Sequence, residues 1–477
     1  MPSTAVVLAS AVLWFFSTGA HHNWLLAWIA PAPILAYAYS AHLRRAAAAT
    51  FAVAVLGSLT WVQLYHGLLP AVVLVRAVVG EGLLFTAVVV GARFIWRRQP
   101  LHVALFAFPV LLTAAEYLVG LVSVDGSFAS LAYTQANFLT ILQVTSVAGL
   151  AGVTFLVSLV SSGIAVAWLR RGEFRDFGVA LAVPAIVVAC AAAFGTVRLS
   201  LPPDGPAIRV GVAATDTTVG LYDTTRTDDA LAVVRAYAGR VAQLGADGAT
   251  MVVLPEKFVG ITPADREAAQ QILAQAAARA HVWLVAGFNE IGVTPLRNVA
   301  VVFTPGGQVA IRYLKQHLLP AFESGYQAGH SVAVWNANGS EAGVAICKDM
   351  DFPALGRAYA DRKVGIMLVP AWDFVRDGWL HARMALVRGV EGGFSVVRAA
   401  QQGRLTVSDP YGRVVAEQRS DASPAVLLAG DVQTVHVTTI YDRIGDWFAW
   451  ACLIVAAGMF AASIPRRTGA EDDQPAS

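Results

Sequence analysis

The stretch GVAICKDMDFP, residues 343–353, puts a thiol into charged surroundings: the apolar run Val344-Ala345-Ile346 ends in Cys347, and Lys348, Asp349 and Asp351 follow at once. The chain has three cysteines, and Cys190 and Cys452 fall inside long apolar stretches, where packing is the plain reading of a cysteine. Cys347 is thus left without a disulfide partner in its own segment, at a strand end that would present its side chain to a site. It could be a buried spacer, a metal ligand or a nucleophile. Zinc needs several Cys, His or carboxylate ligands at local spacing; no CxxC or HExxH pattern occurs, and His317, His330 and His381 are scattered. No metal or cofactor is expected.

A nucleophilic thiol titrates near ~8.5 when free, so it needs a base to take its proton and donors to hold the oxyanion that its attack creates. Two other segments could supply them. VVLPEKF places Glu256 at the end of a β-branched run, and RYLKQHLLPAFE places Lys315 at the end of another, with Glu323 further along the same segment. A single charge at a strand end is ordinarily solvated. Three, from separate strands, can converge on one pocket, and this favours the nucleophile.

The elements that must position these groups fall into two classes. Hydrophobic residues make up 56% of the 477 and charged ones 14%, with mean hydropathy +0.58. Soluble domains carry about 25% charge, so much of this chain must face lipid. The net charge of +2 argues neither way about nucleic acid, and no nucleic-acid partner is expected. Apolar stretches near the roughly 20 residues that cross a bilayer lie at 4–20, 24–42, 47–66, 69–91, 101–121, 141–169 and 178–197, with an eighth at 447–464. The first lacks a basic n-region, so a cleaved signal peptide is not expected.

With eight crossings, Arg44-Arg45, Arg93 with Arg97-Arg98, Arg170-Arg171 with Arg175, and Arg466-Arg467 share one side; the loops HHN (21–23) and SVDGSF (123–128) on the other carry no Lys or Arg. The positive-inside rule makes the arginine side cytoplasmic. The expected organisation is a membrane domain of about seven transmembrane helices over 1–198, an extracytoplasmic domain over 199–445, a C-terminal transmembrane helix over 446–465 and a cytoplasmic, disordered tail over 466–477. Arg76, inside a span, is expected to face the bundle interior.

LPPDGP at 201–206 reads as a linker. Beyond it, IRVGVAA, TMVVLPE, VWLVAGF and GIMLVPA are short buried-strand runs, and 228–245, 263–280, 353–361 and 379–391 are helix-compatible. Hairpin signals occur at Pro305-Gly306-Gly307 and Asn338-Gly339. Strands alternating with helices predict a layered α/β domain of about 240 residues, enough for its own core.

VVLPEKF, YLKQHLLPAFE and GVAICKDMDFP resemble the three signatures of the nitrilase, or carbon–nitrogen hydrolase, superfamily. That resemblance implies an αββα sandwich and a Glu-Lys-Cys triad. Spans both before and after such a domain resemble the apolipoprotein N-acyltransferase family, as do residues 128–169 and the segment HARMALVRGVEGGFSVVRAAQQG. Carried over, Glu256 is the general base, Lys315 the oxyanion stabiliser and Cys347 the nucleophile. Glu323 matches a functional glutamate of the lysine loop, Glu391 a glutamate usually near the lysine, and the backbone N–H of Lys348 is an oxyanion donor.

The resemblance implies a monomeric enzyme of the bacterial inner membrane with its catalytic domain on the periplasmic side. It would move an acyl chain from a phospholipid, through a Cys347 thioester, to the α-amine of the diacylglyceryl-cysteine of an apolipoprotein. The alternatives are a membrane-tethered amidase with water as acceptor, and a non-catalytic lipid-binding protein. Two positions depart from the family pattern. A tyrosine and a glutamate usually follow the nucleophile, where Lys348 and Asp349 stand here. In a dry pocket an ammonium ~6 Å from the sulfur, at an effective dielectric of ~20, is worth ~2.8 kcal/mol, or ~2 pKa units towards the thiolate. The family's Asn-Asp-Ala-Trp segment is replaced by VPAWDFVRDGW, whose Trp372, Phe374 and Trp379 are candidates to dip towards lipid or line an acyl groove.

Overall fold

The computed structural model describes residues 3–19, 21, 23–202, 205–216 and 230–465. His22 of the HHN loop, part of the LPPDGP linker, and the tail with Arg466-Arg467 lie outside the described residues.

Among the described residues, five helices are long and apolar enough to cross a membrane: Leu43–Tyr65, Ala71–Trp96, Leu101–Val122, Thr145–Leu169 and Phe174–Ser200. Three more apolar helices, Thr4–Ser17, Trp24–Ser40 and Trp447–Ser463, occupy other expected spans but are shorter. In the second of these the helix is interrupted before Ala32, with Pro31 at the break. Polar groups inside the bundle are spent on backbone. Arg93 donates to the carbonyls of Ala38 (2.9 Å) and Ala41 (2.6 Å), which end the helix Ala32–Ser40. Glu116 accepts from Leu131 N (3.0 Å), Ser130 Oγ (2.9 Å) and Thr154 Oγ1 (2.8 Å), tying down the turn that follows the SVDGSF loop.

Arg97 reaches the carbonyl of Tyr39, close to Arg44-Arg45, and the Arg170 guanidinium lies 5.4 Å from the Trp96 ring centroid. Three arginine clusters therefore share one end of the bundle. The helix Leu101–Val122 runs from that end to the SVDGSF loop at the other. Arg76, near the start of Ala71–Trp96, is exposed and lines the cavity described below.

The remainder is a sandwich of two sheets. Its strands are β1 (Ala207–Ala214), β2 (Met251–Val253), β3 (Val259–Ile261), β4 (Trp283–Glu290), β5 (Arg297–Phe303) and β6 (Val309–Leu314). After them come β7 (Ala333–Ala337), β8 (Ser340–Val344), β9 (Ile366–Trp372), β10 (Ser395–Gln401), β11 (Arg404–Ser408), β12 (Val414–Arg419) and β13 (Val426–Gln433). One sheet runs β13-β1-β2-β4-β5-β6, with β3 also on β4; the other runs β12-β11-β10-β9-β8-β7. Val212, Val253 and Val285 of the first face Val344, Leu368 and Val397 of the second in one buried core. Helices Ala230–Ala246 and Arg266–Ala280 cover the outside of the first sheet, and Pro353–Ala360 and Gly378–Gly392 that of the second. This is the expected αββα order. Both hairpins form where their turn residues predict, with Gly307 (φ +79°) and Gly339 (φ +94°) in the left-handed conformation that such turns need.

Helix Gly378–Gly392 is buried on both sides, because its outer face meets the membrane helices. Met384, Leu386 and Val390 pack with Tyr133 and Leu142, while Arg388 donates to Tyr133 Oη (3.1 Å) and Arg383 to Asn137 Oδ1 (3.0 Å). A second junction is the kink at Gly149 (φ 60°, ψ −163°) in Thr145–Leu169, against which the Tyr441 ring packs; a Cβ there would stand 2.5 Å from Tyr441 Cε2. Gly149→Ala should destabilise the protein by about 1–3 kcal/mol, through backbone strain and overpacking together. Gly80→Ala, inside a helix with open space around it, should leave stability unchanged or raise it by up to about 1 kcal/mol. Thermal unfolding in detergent compares the two, and equal shifts would contradict the role assigned to the kink.

Candidate active site

The three strand-end groups meet at the seam between the sheets. After β2 the chain leaves its sheet and crosses to the other: Leu254 N donates to Val285 O of β4 (2.8 Å), but Glu256 N donates to Ala371 O of β9 (3.3 Å), and Gln401 Nε2 of β10 donates to Glu256 O (3.0 Å). The crossing runs hard against β4 at Gly287, where a Cβ would lie 2.3 Å from Pro255 O, so only glycine lets the Glu256 segment through. Lys315 immediately follows β6, and Cys347 opens a short 3-10 turn, Cys347–Asp351, just beyond β8.

Lys315 is fully buried, and its Nζ lies 2.8 Å from Glu256 Oε1 and 2.9 Å from Glu323 Oε2. Asn298 Nδ2 donates to both carboxylates, at 2.5 Å to Glu256 and 2.8 Å to Glu323. Lys257, next in sequence to Glu256, reaches Glu323 Oε1 at 3.0 Å. Two buried ammoniums thus face two buried carboxylates, and the cluster balances its own charge. Burial alone would pull the Lys315 ammonium down, but Glu256 and Glu323 outweigh it and hold it well above its ordinary value. Burial pushes the Glu323 carboxyl up, and Lys315 with Lys257 overcomes this to hold it far below the usual carboxylate range.

The Cys347 backbone takes the left-handed conformation (φ 44°), uncommon away from glycine and a sign of local strain at a turn held from outside. Asp349 does much of that holding. One carboxylate oxygen accepts from Ile346 N (3.0 Å) and Tyr313 Oη (2.7 Å), the other from His317 N (2.8 Å) and Gln316 N (3.1 Å). It therefore clips the cysteine turn to the segment carrying Lys315. The thiol donates to Trp372 O at 3.5 Å. Burial pushes its pKa well above 9.0 and the Glu256 charge pushes it further; Lys315 opposes them. At rest the sulfur is protonated.

The structure gives four of these residues definite partners. The Lys348 ammonium is committed to Asp125 Oδ1 (2.6 Å) of the SVDGSF loop instead of to the sulfur. Glu391 does not pair with Lys315: its carboxylate pairs with Arg388 (2.8 Å), accepts from Leu150 N (3.0 Å) and is pushed by burial up to about 7. Trp372, beyond lining the cavity described below, supplies the carbonyl that receives the thiol, and its indole N–H donates to Gln402 Oε1 (3.0 Å). Asp349 is the clip already described. The sequence reading missed Lys257, Asn298 and the buried Asp373–Arg398 pair (2.5 and 2.9 Å), whose opposite charges both act on the thiol. Lys257, Asp373 and Arg398 stood inside segments already singled out.

The site opens on a cavity of about 1110 Å³ shared between the sandwich and the membrane helices. Cys347, Trp372, Phe374 and Trp379 line it on one side, and Leu74, Phe85 and Leu112 of the helices on another. Phe374 stacks obliquely on Phe322 of the lysine loop (5.3 Å), and Trp379 lies under the Arg383 guanidinium (5.4 Å). Among the described residues no group of three or more His, Cys, Asp or Glu could hold a metal.

Residues 10–163 match the family described as Apolipoprotein N-acyltransferase N-terminal domain, and residues 212–439 match the Carbon-nitrogen hydrolase family. The chain is 25% identical over 489 residues to an apolipoprotein N-acyltransferase of Geobacter metallireducens, covering 93% of this chain and 92% of that one. It is 26% identical over 422 residues to an apolipoprotein N-acyltransferase of Bradyrhizobium diazoefficiens, covering 78% and 75%. A match to a stereoselective amidase of a Pseudomonas species is 28% identical but covers only 37% of this chain and 68% of that one. A solved amidase of the nitrilase superfamily from Nesterenkonia AN1 superposes with a TM-score of 0.42 at 20% identity, covering 51% of this chain and 96% of that chain. With residues 10–163 matching the N-terminal domain of apolipoprotein N-acyltransferases, residues 212–439 matching the carbon–nitrogen hydrolases, and an apolipoprotein N-acyltransferase aligned over 93% of it, the chain belongs to the apolipoprotein N-acyltransferases of the carbon–nitrogen hydrolase superfamily.

Proposed function

We propose that this protein is an acyltransferase of the bacterial inner membrane that N-acylates lipoproteins, with a phospholipid as donor. The observation that carries this reading is the position of Cys347: beside the Glu256–Lys315–Glu323 cluster and on the wall of a cavity half built by membrane helices. A soluble amide needs no such cavity, whereas an acyl chain does. The amidase reading is weaker, since the amidase match covers little more than a third of the chain.

In the first half-reaction Glu256 takes the Sγ proton as sulfur attacks the ester carbonyl of the donor. Lys315 and the backbone N–H of Lys348 stabilise the oxyanion. The C–O bond then breaks, Glu256 returns the proton to the departing glycerol oxygen, and lysophospholipid leaves an acyl thioester on Cys347. In the second half the α-amine of the acceptor's lipidated cysteine attacks the thioester. Glu256 takes the amine proton and returns it to sulfur, leaving an amide and the free thiol. Glu323 holds Lys315 in place and keeps it charged. Phe374 and Trp379 would border the acyl chain. Splitting one acyl transfer into two lowers each barrier, and a site at the membrane boundary gains proximity, because both substrates are anchored there. Eight crossings, with the shared arginine end in the cytoplasm and the sandwich on the periplasmic side, complete the reading.

Membranes supplied with phospholipid carrying a labelled acyl chain should accumulate label on Cys347. Cys347→Ala and Glu256→Gln should lose it by at least about a hundredfold, given the usual weight of nucleophile and base. Label retained by Cys347→Ala would sink the assignment. The raised thiol pKa has its own signature. A protonated resting thiol exposes more thiolate as pH rises, so alkylation of Cys347 by iodoacetamide should increase roughly tenfold per pH unit with no plateau up to pH 9.0. A plateau below pH 8 would mean a preformed thiolate, contrary to the burial described above.

A further inference from the structure

Lys348 stands where the sulfur's own neighbour could act on the substrate, yet its ammonium is not part of the Glu256–Lys315–Glu323 cluster. Its side chain is 6% exposed, and among the described residues its only hydrogen-bond partner is Asp125, at 2.6 Å. An ammonium has three N–H donors, so two remain to be placed. Asp125 itself is 58% exposed. The two partners differ in what separation would cost them. Asp125 can turn into water at little cost, whereas a buried ammonium without an anion is heavily penalised. Both residues line the same cavity as Cys347.

Resting on the acyl-transfer reading above, we propose that Lys348 is the phosphate-binding residue for the phospholipid donor, and that Asp125 is a placeholder anion which the donor's phosphate displaces. The chemistry of the donor fits this arrangement. In a glycerophospholipid the phosphate lies one glycerol unit from the scissile ester carbonyl. An acyl ester seated at Cys347 therefore carries its phosphate towards the adjoining residue, where a buried cation with unspent donors waits. A phosphodiester oxygen takes over the charge-assisted hydrogen bond that Asp125 makes at rest, and Asp125 goes to solvent. Lys348 acts on selection of the donor and its register; it is not required to take or give a proton. The SVDGSF loop, whose Ser127 N and Oγ both donate to Asp351 O (3.0 and 2.7 Å), keeps Asp125 beside the cysteine turn.

The test compares two acyl donors on the full-length protein in detergent, reading the Cys347 thioester by intact-mass spectrometry. One donor is dipalmitoyl phosphatidylglycerol, which carries the phosphodiester; the other is p-nitrophenyl palmitate, which carries none. Lys348→Met should lower the ratio of phosphatidylglycerol to p-nitrophenyl loading by about ten- to a hundredfold, the usual worth of a hydrogen bond to a charged group. Asp125→Asn should hold or raise that ratio, because it removes the competing anion. The proposal is overturned if Lys348→Met slows both donors in proportion, or if Asp125→Asn lowers the ratio as far as Lys348→Met does, since the pair would then be a latch between loop and turn. A wild-type protein loaded by p-nitrophenyl palmitate but by no phospholipid would instead overturn the acyl-transfer reading itself.

Discussion

The ammonium of Lys315 is the constraint on which the site depends. It has no access to water, so it is stable only if carboxylates reach it from more than one direction, and two do. Glu256 arrives from a strand that leaves its own sheet to cross the seam. Glu323 arrives from the loop that Lys315 itself begins, steadied by Leu319 N at 2.9 Å. Asn298 bridges the two acids, and Lys257 balances the second negative charge. Removing any one of the four charged groups would leave the buried cluster with a net charge. Holding Lys315 charged is also what acyl transfer asks of an oxyanion partner: a fixed cation in a dry place, set before the reaction begins.

The cysteine turn is held from two sides, and the two grips belong to different parts of the molecule. On the sandwich side Asp349 ties the turn to the backbone just after Lys315, so that thiol and ammonium move together. On the membrane side the SVDGSF loop grips the same turn, through Ser127 to Asp351 and Asp125 to Lys348. A thiol clamped in this way is tied both to the Glu256–Lys315–Glu323 cluster and to the helices that line the cavity. The short arm of Asp349 belongs to this geometry: its carboxylate reaches backbone N–H groups on both sides of the turn.

Junctions between sandwich and bundle are polar at their edges and apolar in the middle. Tyr65 Oη donates to Asp377 (2.8 Å), Tyr441 Oη to Asp446 (2.7 Å), and Arg357 pairs with Asp446, while Val390, Leu386 and Tyr133 fill the centre. His381 shows what this does to a titratable group. Burial alone would lower it, but Asp377 and Asp351 hold its imidazole well above the ordinary histidine value, as a cation in the junction between the two parts. Such a boundary is continuous with the protein interior, and it places the cavity beside the thiol instead of leaving it a separate groove.

Much of this was legible beforehand, and for a local reason. Apolar runs, turn pairs such as Asn338-Gly339 and charges at strand ends are set by neighbours in the chain, so the long membrane helices, the hairpins and the strand-end positions of Glu256, Lys315 and Cys347 could be read from residue order. What could not be read is which distant group meets which. Asp125 and Lys348 are 223 residues apart, Asn298 and Glu256 are 42 apart, and nothing in either local pattern marks them as partners. Glu391 carries the right chemistry for the lysine, but its helix turns it towards Arg388 and Leu150. Arg76 sits in an apolar run, and the fold sets it on the wall of the cavity. Residue types and periodicity determined that a thiol, a carboxylate and an ammonium stand at strand ends in a chain that also carries long apolar helices. Only tertiary packing decided their partners, because a buried charge takes whichever counter-charge the fold brings within reach, at whatever distance along the chain.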